Sequence, residues 1–441
     1  MGIARTFKGG VHPHEVGNGK AATCQAPIRD MKAPARVTIP LSQHIGAPCK
    51  CIVEAGQHVA LGQLIGEAGG FVSAPVHASV SGTVLAVTSC TLANGRNVPA
   101  VVIENDYQDT WDQSISPREN VDALSAKELC EIVRNAGIVG LGGATFPTSV
   151  KLAPPPEKKV DTLILNGAEC EPYLTNDHRL MLERAQQVVR GALIAKKILG
   201  AGKVYIGIED NKPDAVANMT KEASGTDIEV VALPAKYPQG GEKQLIYALT
   251  KRRVPNGGLP ADAGVVVTNV STAAAIATAV YEGKPLIDRV VTVTGMVKNP
   301  ANIRARIGTP LSALVEECGG FEEGVRKIVL GGPMMGPTIT SLNIPVIKGT
   351  GGLLALGEES VHAKEAPCIH CGRCVAACPM RLVPTQLDAF ARRSRWSDAE
   401  KGGAMNCLEC GACTFACPSK RELTQSCRMA KAAIAASRKK S

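Results

Sequence analysis

Val160-Asp161-Thr162-Leu163-Ile164-Leu165-Asn166-Gly167 runs directly into Ala168-Glu169-Cys170-Glu171-Pro172-Tyr173, and the reading of this stretch decides the fold. Its apolar part is continuous rather than alternating, the pattern of a strand buried on both faces in a parallel sheet. Polar groups gather at its carboxyl end, where open α/β sheets bind their ligands. Downstream, RLMLERAQQVVRGALIAKKILG (179–200) has the apolar spacing of one long helix, and KVYIGIED (203–210) is a second strand ending in Glu209-Asp210-Asn211. EVVALP (229–234), Tyr237-Pro238-Gln239-Gly240-Gly241-Glu242 with a following helix, and VVVTN (265–269), ending at Asn269, complete a doubly wound α/β domain.

Upstream, SAKELCEIVRNAGIVG (125–140) starts with a Ser N-cap and continues at helical spacing. It leads into Gly140-Leu141-Gly142-Gly143-Ala144-Thr145-Phe146-Pro147-Thr148, with Lys151 just beyond. Small residues in a row let backbone N–H groups wrap a phosphate or a flat ring, and a nearby lysine neutralises a phosphate. Taken alone, such a loop reads equally well as a tight turn between helix and strand. Residues 36–105 read as short strands at turn-rich spacing, and 106–125 as a polar linker. From 284 to about 345, RVVTVTG, TPLSALVEECGG and KIVLGGP form a small β-grasp-like unit in which no residue points to chemistry. Met334 and Met335 read as core packing.

At 441 residues the chain is too long for one core, and three or four domains are expected. With 45% apolar and 20% charged residues its composition is that of an ordinary soluble protein. The longest apolar candidate, 264–281, is broken by Thr268, Asn269, Ser271 and Thr272, and the opening MGIARTFKGGVHPHE lacks an apolar signal region. Transmembrane and secreted readings are therefore not expected. Lys and Arg exceed Asp and Glu by 49 − 40 = +9, and residues 364–441 alone carry 14 basic and 6 acidic side chains, +8. Such a segment suits nucleic acid, an anionic membrane surface or an acidic partner. The last few residues, with Arg438, Lys439 and Lys440, read as a solvated basic tail.

The same segment holds nine of the 16 cysteines. Cys368-x-x-Cys371-x-x-Cys374-x-x-x-Cys378-Pro379 is followed by Cys407-x-x-Cys410-x-x-Cys413-x-x-x-Cys417-Pro418, the bacterial ferredoxin spacing written twice. Three thiolates in a tight loop cap three corners of a cubane, and the fourth reaches across to the other cluster. This assigns one [4Fe–4S] cluster to Cys368, Cys371, Cys374 and Cys417, and another to Cys407, Cys410, Cys413 and Cys378. Zinc sites also use paired Cys-x-x-Cys, but need only four cysteines. Cys427 falls outside the pattern and reads as a helix-face thiol.

Residues 53–66 and 73–87 (VEAGQHVALGQLIG, SAPVHASVSGTVLAV) resemble the barrel-sandwich hybrid of biotinyl and lipoyl carriers, without a carrier lysine in the hairpin 67–71. Segments 140–151, 166–181, 237–249 and 265–272 resemble the flavin- and NADH-binding flavoprotein subunit of respiratory complex I. The whole chain is more similar to the C subunit of the Rnf ion-translocating electron transport complex, because the double ferredoxin motif departs from complex I. The resemblance implies FMN held by Gly140, Gly142, Gly143, Lys151, Asn166 and Asn269, with Thr272 near its phosphate. Phe146, Glu169, Glu171, Gly240, Gly241 and Glu242 would line the flavin–nicotinamide side. Leu141 and Ala168 stand where complex I relatives have Arg and Asp.

The expected architecture is α/β multidomain. It comprises a barrel-sandwich hybrid (1–110), a Rossmann-like FMN/NADH domain (111–283), a β-grasp-like domain (284–350), an α-helical ferredoxin-type domain with two [4Fe–4S] clusters (355–427) and a basic tail (428–441). The resemblance implies an electron-transfer subunit of an ion-translocating ferredoxin:NAD+ oxidoreductase, coupled to Na+ or H+ movement. It implies NAD(H) as substrate, other Rnf-type subunits as partners, ferredoxin as an indirect one, no nucleic acid, and a peripheral position on the cytoplasmic face of the membrane. The alternatives are a diaphorase subunit of a soluble flavin-linked hydrogenase or transhydrogenase, and a non-enzymatic iron–sulfur adaptor with a degenerate flavin site.

Overall fold

A computed structural model describes residues 5–361 and 364–438. Lys439 and Lys440 of the expected tail lie outside the described residues.

The strand read first, Thr162–Gly167, lies inside a four-stranded sheet of order Ile228–Leu233, Lys203–Glu209, Thr162–Gly167, Val265–Asn269. All three pairings are parallel, with Asn166 beside Asn269 at the carboxyl end. The chain winds outward from 162–167 on one side and returns to the other, so the strand order reverses between Asn166 and Asn269. A doubly wound sheet opens its crevice at that point. Behind it, the helices Ala185–Leu199 and Val270–Glu282 cross so closely that a Cβ on Gly191 would lie 1.8 Å from the Ala273 carbonyl oxygen, so only glycine fits.

The single helix expected over 179–200 is two helices, Asn176–Glu183 and Ala185–Leu199, broken at Arg184 (φ −133°, ψ 33°). The break points the amino end of the first helix back at the strand ends. Ser125 caps the helix Ala126–Asn135 through a reciprocal pair with Glu128, as its sequence indicates.

A six-stranded mixed sheet follows, in the order Arg29–Asp30, Ala301–Arg306, Asp288–Gly295, Gly352–Leu356, Lys327–Leu330, Thr338–Ile339. Two of its strands fall outside the stretch 284–350 read as this unit. Gly352–Leu356 pairs in the middle of the sheet. Arg29–Asp30 comes from the amino-terminal segment.

The barrel-like module consists of a four-stranded sheet (Arg36–Pro40, Asn97–Asn105, Gly82–Thr91, His58–Val59) and a three-stranded one (Lys50–Cys51, Leu64–Glu67, Val76–His77). Its core residues Val37, Ile39 and Ile103 are continuous with Leu129, Ile138 and Leu163 of the doubly wound unit. Residues 5–27 run across the strand ends instead of joining this module, with Val11 bridged to Tyr237.

Short helices (Arg373–Ala377, Pro384–Ala391, Trp396–Lys401, Ala412–Phe415) and the longer Leu423–Arg438 close the carboxyl-terminal unit over a small core of Leu387, Ala399, Ala404 and Ile434. No helix among the described residues is long and apolar enough to cross a membrane.

Candidate functional site

At the reversal point, the Asn269 side chain organises the crevice. Its Oδ1 accepts from the backbone N–H groups of Ser271 and Thr272, capping the helix behind it, and its Nδ2 donates to Asp177 Oδ2 at 2.6 Å. Asn166 Nδ2 donates to the Gly240 carbonyl at 2.8 Å. The glycine-rich loop lies over these groups. The Leu141 N–H donates to Thr272 Oγ1 at 2.9 Å, and a Cβ on Gly142 would sit 2.5 Å from Asn269 Nδ2, whereas Gly143 faces open space. The Leu141 carbonyl accepts from the buried Arg289, a residue the sequence reading left without a role. Thus Gly142, Asn166, Gly240, Asn269 and Thr272 come together on four converging elements. The Gly140 N–H donates to the Phe146 carbonyl at 2.9 Å, a Cβ on Gly140 would meet nothing closer than 3.7 Å, and Phe146 is half-buried.

Lys151 and Glu242, read as belonging to different sides of the site, pair with each other at 2.9 Å in a half-exposed salt bridge. Gly241 caps the helix Glu242–Thr250 that carries Glu242.

Glu169 holds a left-handed backbone (φ 48°), and its carboxylate accepts from the backbone N–H groups of Asp177 and His178 at 2.6 and 3.2 Å, satisfying the opening turn of the helix Asn176–Glu183. Lys20, from the amino-terminal segment, donates to the carbonyls of Glu169, Glu171 and Leu174 and ties the loop down. Glu209, which could have been a solvated cap, is 2% exposed and accepts from Lys212 at 3.3 Å and from the Lys236 N–H at 3.2 Å. Neither lysine carried a sequence signal, since their partners lie far along the chain or on the far side of a turn. Asp177 did have one, as an acid in the first turn of a helix beside the quoted strand.

Glu171 accepts from the Met334 N–H at 3.1 Å through Oε2, and among the described residues its buried Oε1 has no hydrogen-bond partner. Burial pushes its carboxyl up to about 7 from an ordinary 4.5. The fold therefore binds more protons here than the unfolded chain between those two values, and loses stability as pH rises through that window. Glu171→Gln is expected to gain stability over the parent at about pH 8 and to lose that advantage below pH 4.5, as read by denaturant midpoints. A constant difference across the range would show that the carboxyl titrates normally.

Each cysteine run turns in the same way. His370 (φ 55°) and Glu409 (φ 58°) are left-handed and donate N–H to Cys368 Sγ at 3.4 Å and Cys407 Sγ at 3.3 Å. Gly372 (φ 75°) and Gly411 (φ 80°) follow the second cysteine and start the short helix that carries the third. Cys378, Cys407, Cys410 and Cys413 line one cavity, with Leu382, Leu387 and Leu408. Burial pushes Cys410 up to about 12 and Cys413 up to about 11. Cys374 lies beside Cys417, and both share one buried cluster with Cys413 and Leu423, so the two sets adjoin. Cys371 is exposed, as are Ile369 at 67% and Phe415 at 42%.

The inner set faces the crevice. Tyr237, 2% exposed, donates its hydroxyl to the Cys410 carbonyl at 2.7 Å and also faces Glu171. Gln244 Nε2 approaches Met380 Sδ at 3.4 Å, and the Gly10 N–H donates to the Ala377 carbonyl at 2.8 Å. Met334, read as core, instead sits between Glu171 and the second cysteine run, its carbonyl 2.6 Å from where a Cβ on Gly411 would be. Cys427 is buried, as a helix-face thiol would be, but it also lines the inner cavity. Of the arginines between the two runs, Arg392 pairs with Asp388 and Glu365, and Arg395 pairs with Asp398.

Four family models match the chain in order: an RnfC barrel sandwich hybrid domain (residues 5–108), a Nuo51 FMN-binding domain (133–278), an SLBB domain (290–338) and a 4Fe-4S dicluster domain (367–422). The chain is 53% identical over 439 residues to the C subunit of the Na(+)-translocating ferredoxin:NAD(+) oxidoreductase complex of Acetobacterium woodii, covering 99% of this chain and 98% of that one. It is 49% identical to the C subunit of the proton-translocating ferredoxin:NAD(+) oxidoreductase complex of Clostridium ljungdahlii, covering 90% of this chain and 87% of that one. It is 45% identical to the C subunit of the ion-translocating oxidoreductase complex of Rhodobacter capsulatus, over 97% and 83%. Among solved structures, the NAD+-reducing [NiFe]-hydrogenase in its H2-reduced state superposes with a TM-score of 0.50 at 21% identity, over 72% of this chain and 64% of that one, a likeness of fold alone.

Proposed function

This chain belongs to the family of C subunits of ion-translocating ferredoxin:NAD+ oxidoreductase complexes, and from that premise we propose that it carries electrons between NAD(H), FMN and two [4Fe–4S] clusters. The observation that carries the reading is the Tyr237–Cys410 hydrogen bond, which joins the crevice at the strand ends directly to the inner cysteine cavity.

The residues fit these groups. Gly142 and Gly143 leave the crevice mouth free of side chains, Asn166 and Asn269 supply amides below it, and the unpartnered Glu171 Oε1 offers an acceptor. Eight cysteines in two adjoining sets provide the thiolates that cubane iron requires. Bound there, FMN supplies conversion between two-electron hydride transfer and single-electron transfer, and the clusters supply single-electron carriage. The chain's own residues do the rest. Asp177 fixes Asn269, Lys20 and Lys212 hold the acidic strand ends together, and Tyr237 and Met334 set the inner cysteine loop against the crevice. The inner set is thus placed for exchange with the flavin and the outer set, with exposed Cys371, for exchange with a partner.

The wider reading is that the protein works within ferredoxin:NAD+ oxidoreduction coupled to Na+ or H+ movement, docked peripherally on the cytoplasmic face by other subunits of such a complex. The hydrogenase likeness concerns fold alone, whereas the C-subunit relatives match over nearly the full length, which favours this reading over a soluble diaphorase. Anaerobically purified protein should contain about one flavin with about eight iron and eight sulfide per chain, and NADH should bleach both chromophores. Iron without flavin would establish the adaptor reading instead.

Lys151→Ala separates the roles of that lysine. An exposed pair contributes about 0–1 kcal/mol to folding, so the melting temperature should barely move. Losing a charge-assisted phosphate contact of roughly 1.5–3 kcal/mol should lower FMN affinity by about one to two decades. Unchanged flavin retention in a fluorescence titration would remove Lys151 from the site.

A further inference from the structure

Five cysteine sulfurs line the inner cavity, where a [4Fe–4S] cubane has four iron corners to ligate. Cys378, Cys407, Cys410 and Cys413 account for the corners, and Cys427, from the helix Leu423–Arg438, lines the same space. It is 1% exposed, shares the lining of that cavity with Cys407, and belongs to the apolar core of Leu387 and Ala404 against which Cys407 also packs. We propose that Cys427 is a positioning residue of the inner cluster, its S–H donating to the Cys407 sulfur and raising that cluster's reduction potential above the outer one's. The inference rests on the reading that these cysteines hold cubane clusters.

The local chemistry favours a donor over a fifth ligand. Cys427 lies outside the loop geometry shared by the two runs, in which a left-handed residue turns its N–H onto the first cysteine. The surrounding Leu382, Leu387 and Leu408 keep water from competing with a weak S–H donor for the sulfur. A donor to a ligating sulfur stabilises the extra negative charge of the reduced cluster more than the oxidised state, and so shifts the potential upward.

Other donors already reach the inner set. Thr424 Oγ1 is 3.5 Å from Cys413 Sγ, the Leu382 N–H donates to Cys378 Sγ at 3.3 Å, and the Glu409 N–H donates to Cys407 Sγ at 3.3 Å. On the outer set, Cys368 accepts from the His370 N–H at 3.4 Å, and Cys371 is exposed to solvent. Cys427 would thus add to a gradient the backbone has begun, with the electron held more readily near the crevice than at the surface.

The test is an EPR-monitored redox titration of the full chain, purified anaerobically, as wild type, Cys427→Ala and Cys427→Ser, with iron and sulfide counted in each. The expected result is unchanged iron in all three, a lower potential for one of the two clusters in the alanine variant, and recovery of that potential by serine, which keeps a donor. Iron falling by half in the alanine variant would make Cys427 a ligand and overturn the proposal. An unmoved potential would overturn it too, and so would a shift that serine fails to reverse, which assigns the effect to packing. Wild-type protein without two clusters would instead sink the underlying cluster reading.

Discussion

Replacing Cys378 with alanine is expected to remove the cluster held by Cys407, Cys410 and Cys413, farther along the chain, and to spare the one held by its own run. Cys378 shares one cavity with those three, while Cys374 of its own run lies beside Cys417. A cubane missing one of four thiolates loses a covalent anchor, and the lining leucines disfavour a water ligand in its place. Iron should fall from about eight to about four per chain, and one of the two reduced-state EPR signals should vanish. Cys417→Ala should give the mirror image and remove the outer signal. Cys427 is the one neighbouring thiol that could substitute, so Cys378→Ala should also be examined together with Cys427→Ala. Loss of the outer signal in Cys378→Ala, with the inner one intact, would mean that each run binds its own cluster.

Alanine at Gly142 and at Gly143 should both expel flavin, for different reasons that calorimetry can distinguish. A Cβ on Gly142 would stand 2.5 Å from Asn269 Nδ2. Asn269 cannot yield, because Asp177 holds its Nδ2 while Ser271 and Thr272 hold its Oδ1. The loop must lift instead, at the roughly 1–3 kcal/mol that overpacking costs, so the flavin-free protein should melt lower. Gly143 has no heavy atom within 4 Å of the added Cβ, so its alanine variant should melt like the parent. In the proposed cradle that open space is where the ligand lies, and a methyl there should lower FMN affinity by at least tenfold, about 1.4 kcal/mol. If Gly143→Ala keeps its flavin at parental affinity, the cradle does not lie over that residue.

The sheet was legible because its evidence is local. A run such as 162–167, apolar at every turn, suits a strand covered on both faces, and the amides at 166 and 269 mark two strand ends wherever the strands go. The cysteine runs were legible for a related reason, since three of four thiolates come from one tight loop whose spacing is chemical necessity. The proposed crossing of the fourth ligand rests on that loop's reach; Cys378 lines the cavity of Cys407, Cys410 and Cys413, and Cys417 lies beside Cys374.

What only the tertiary structure decided depends on groups far apart in the chain. Lys20 meets the 169–174 carbonyls because residues 5–27 cross the strand ends instead of joining the barrel-like module, and no periodicity records such a path. The helix break at Arg184 is invisible in an apolar pattern that continues through it, yet it turns Asp177 toward Asn269. Lys151 and Glu242 each read as a ligand contact, and their pairing appears only once the end of the short helix Thr148–Leu152 lies beside the start of Glu242–Thr250. Tyr237, Met334 and Cys427 bear on the inner cysteines through a hydroxyl, a main-chain turn and a buried thiol. A sequence lists such groups without their directions, whereas a packed interior, where an unmade hydrogen bond costs about 1–3 kcal/mol, fixes what each of them faces.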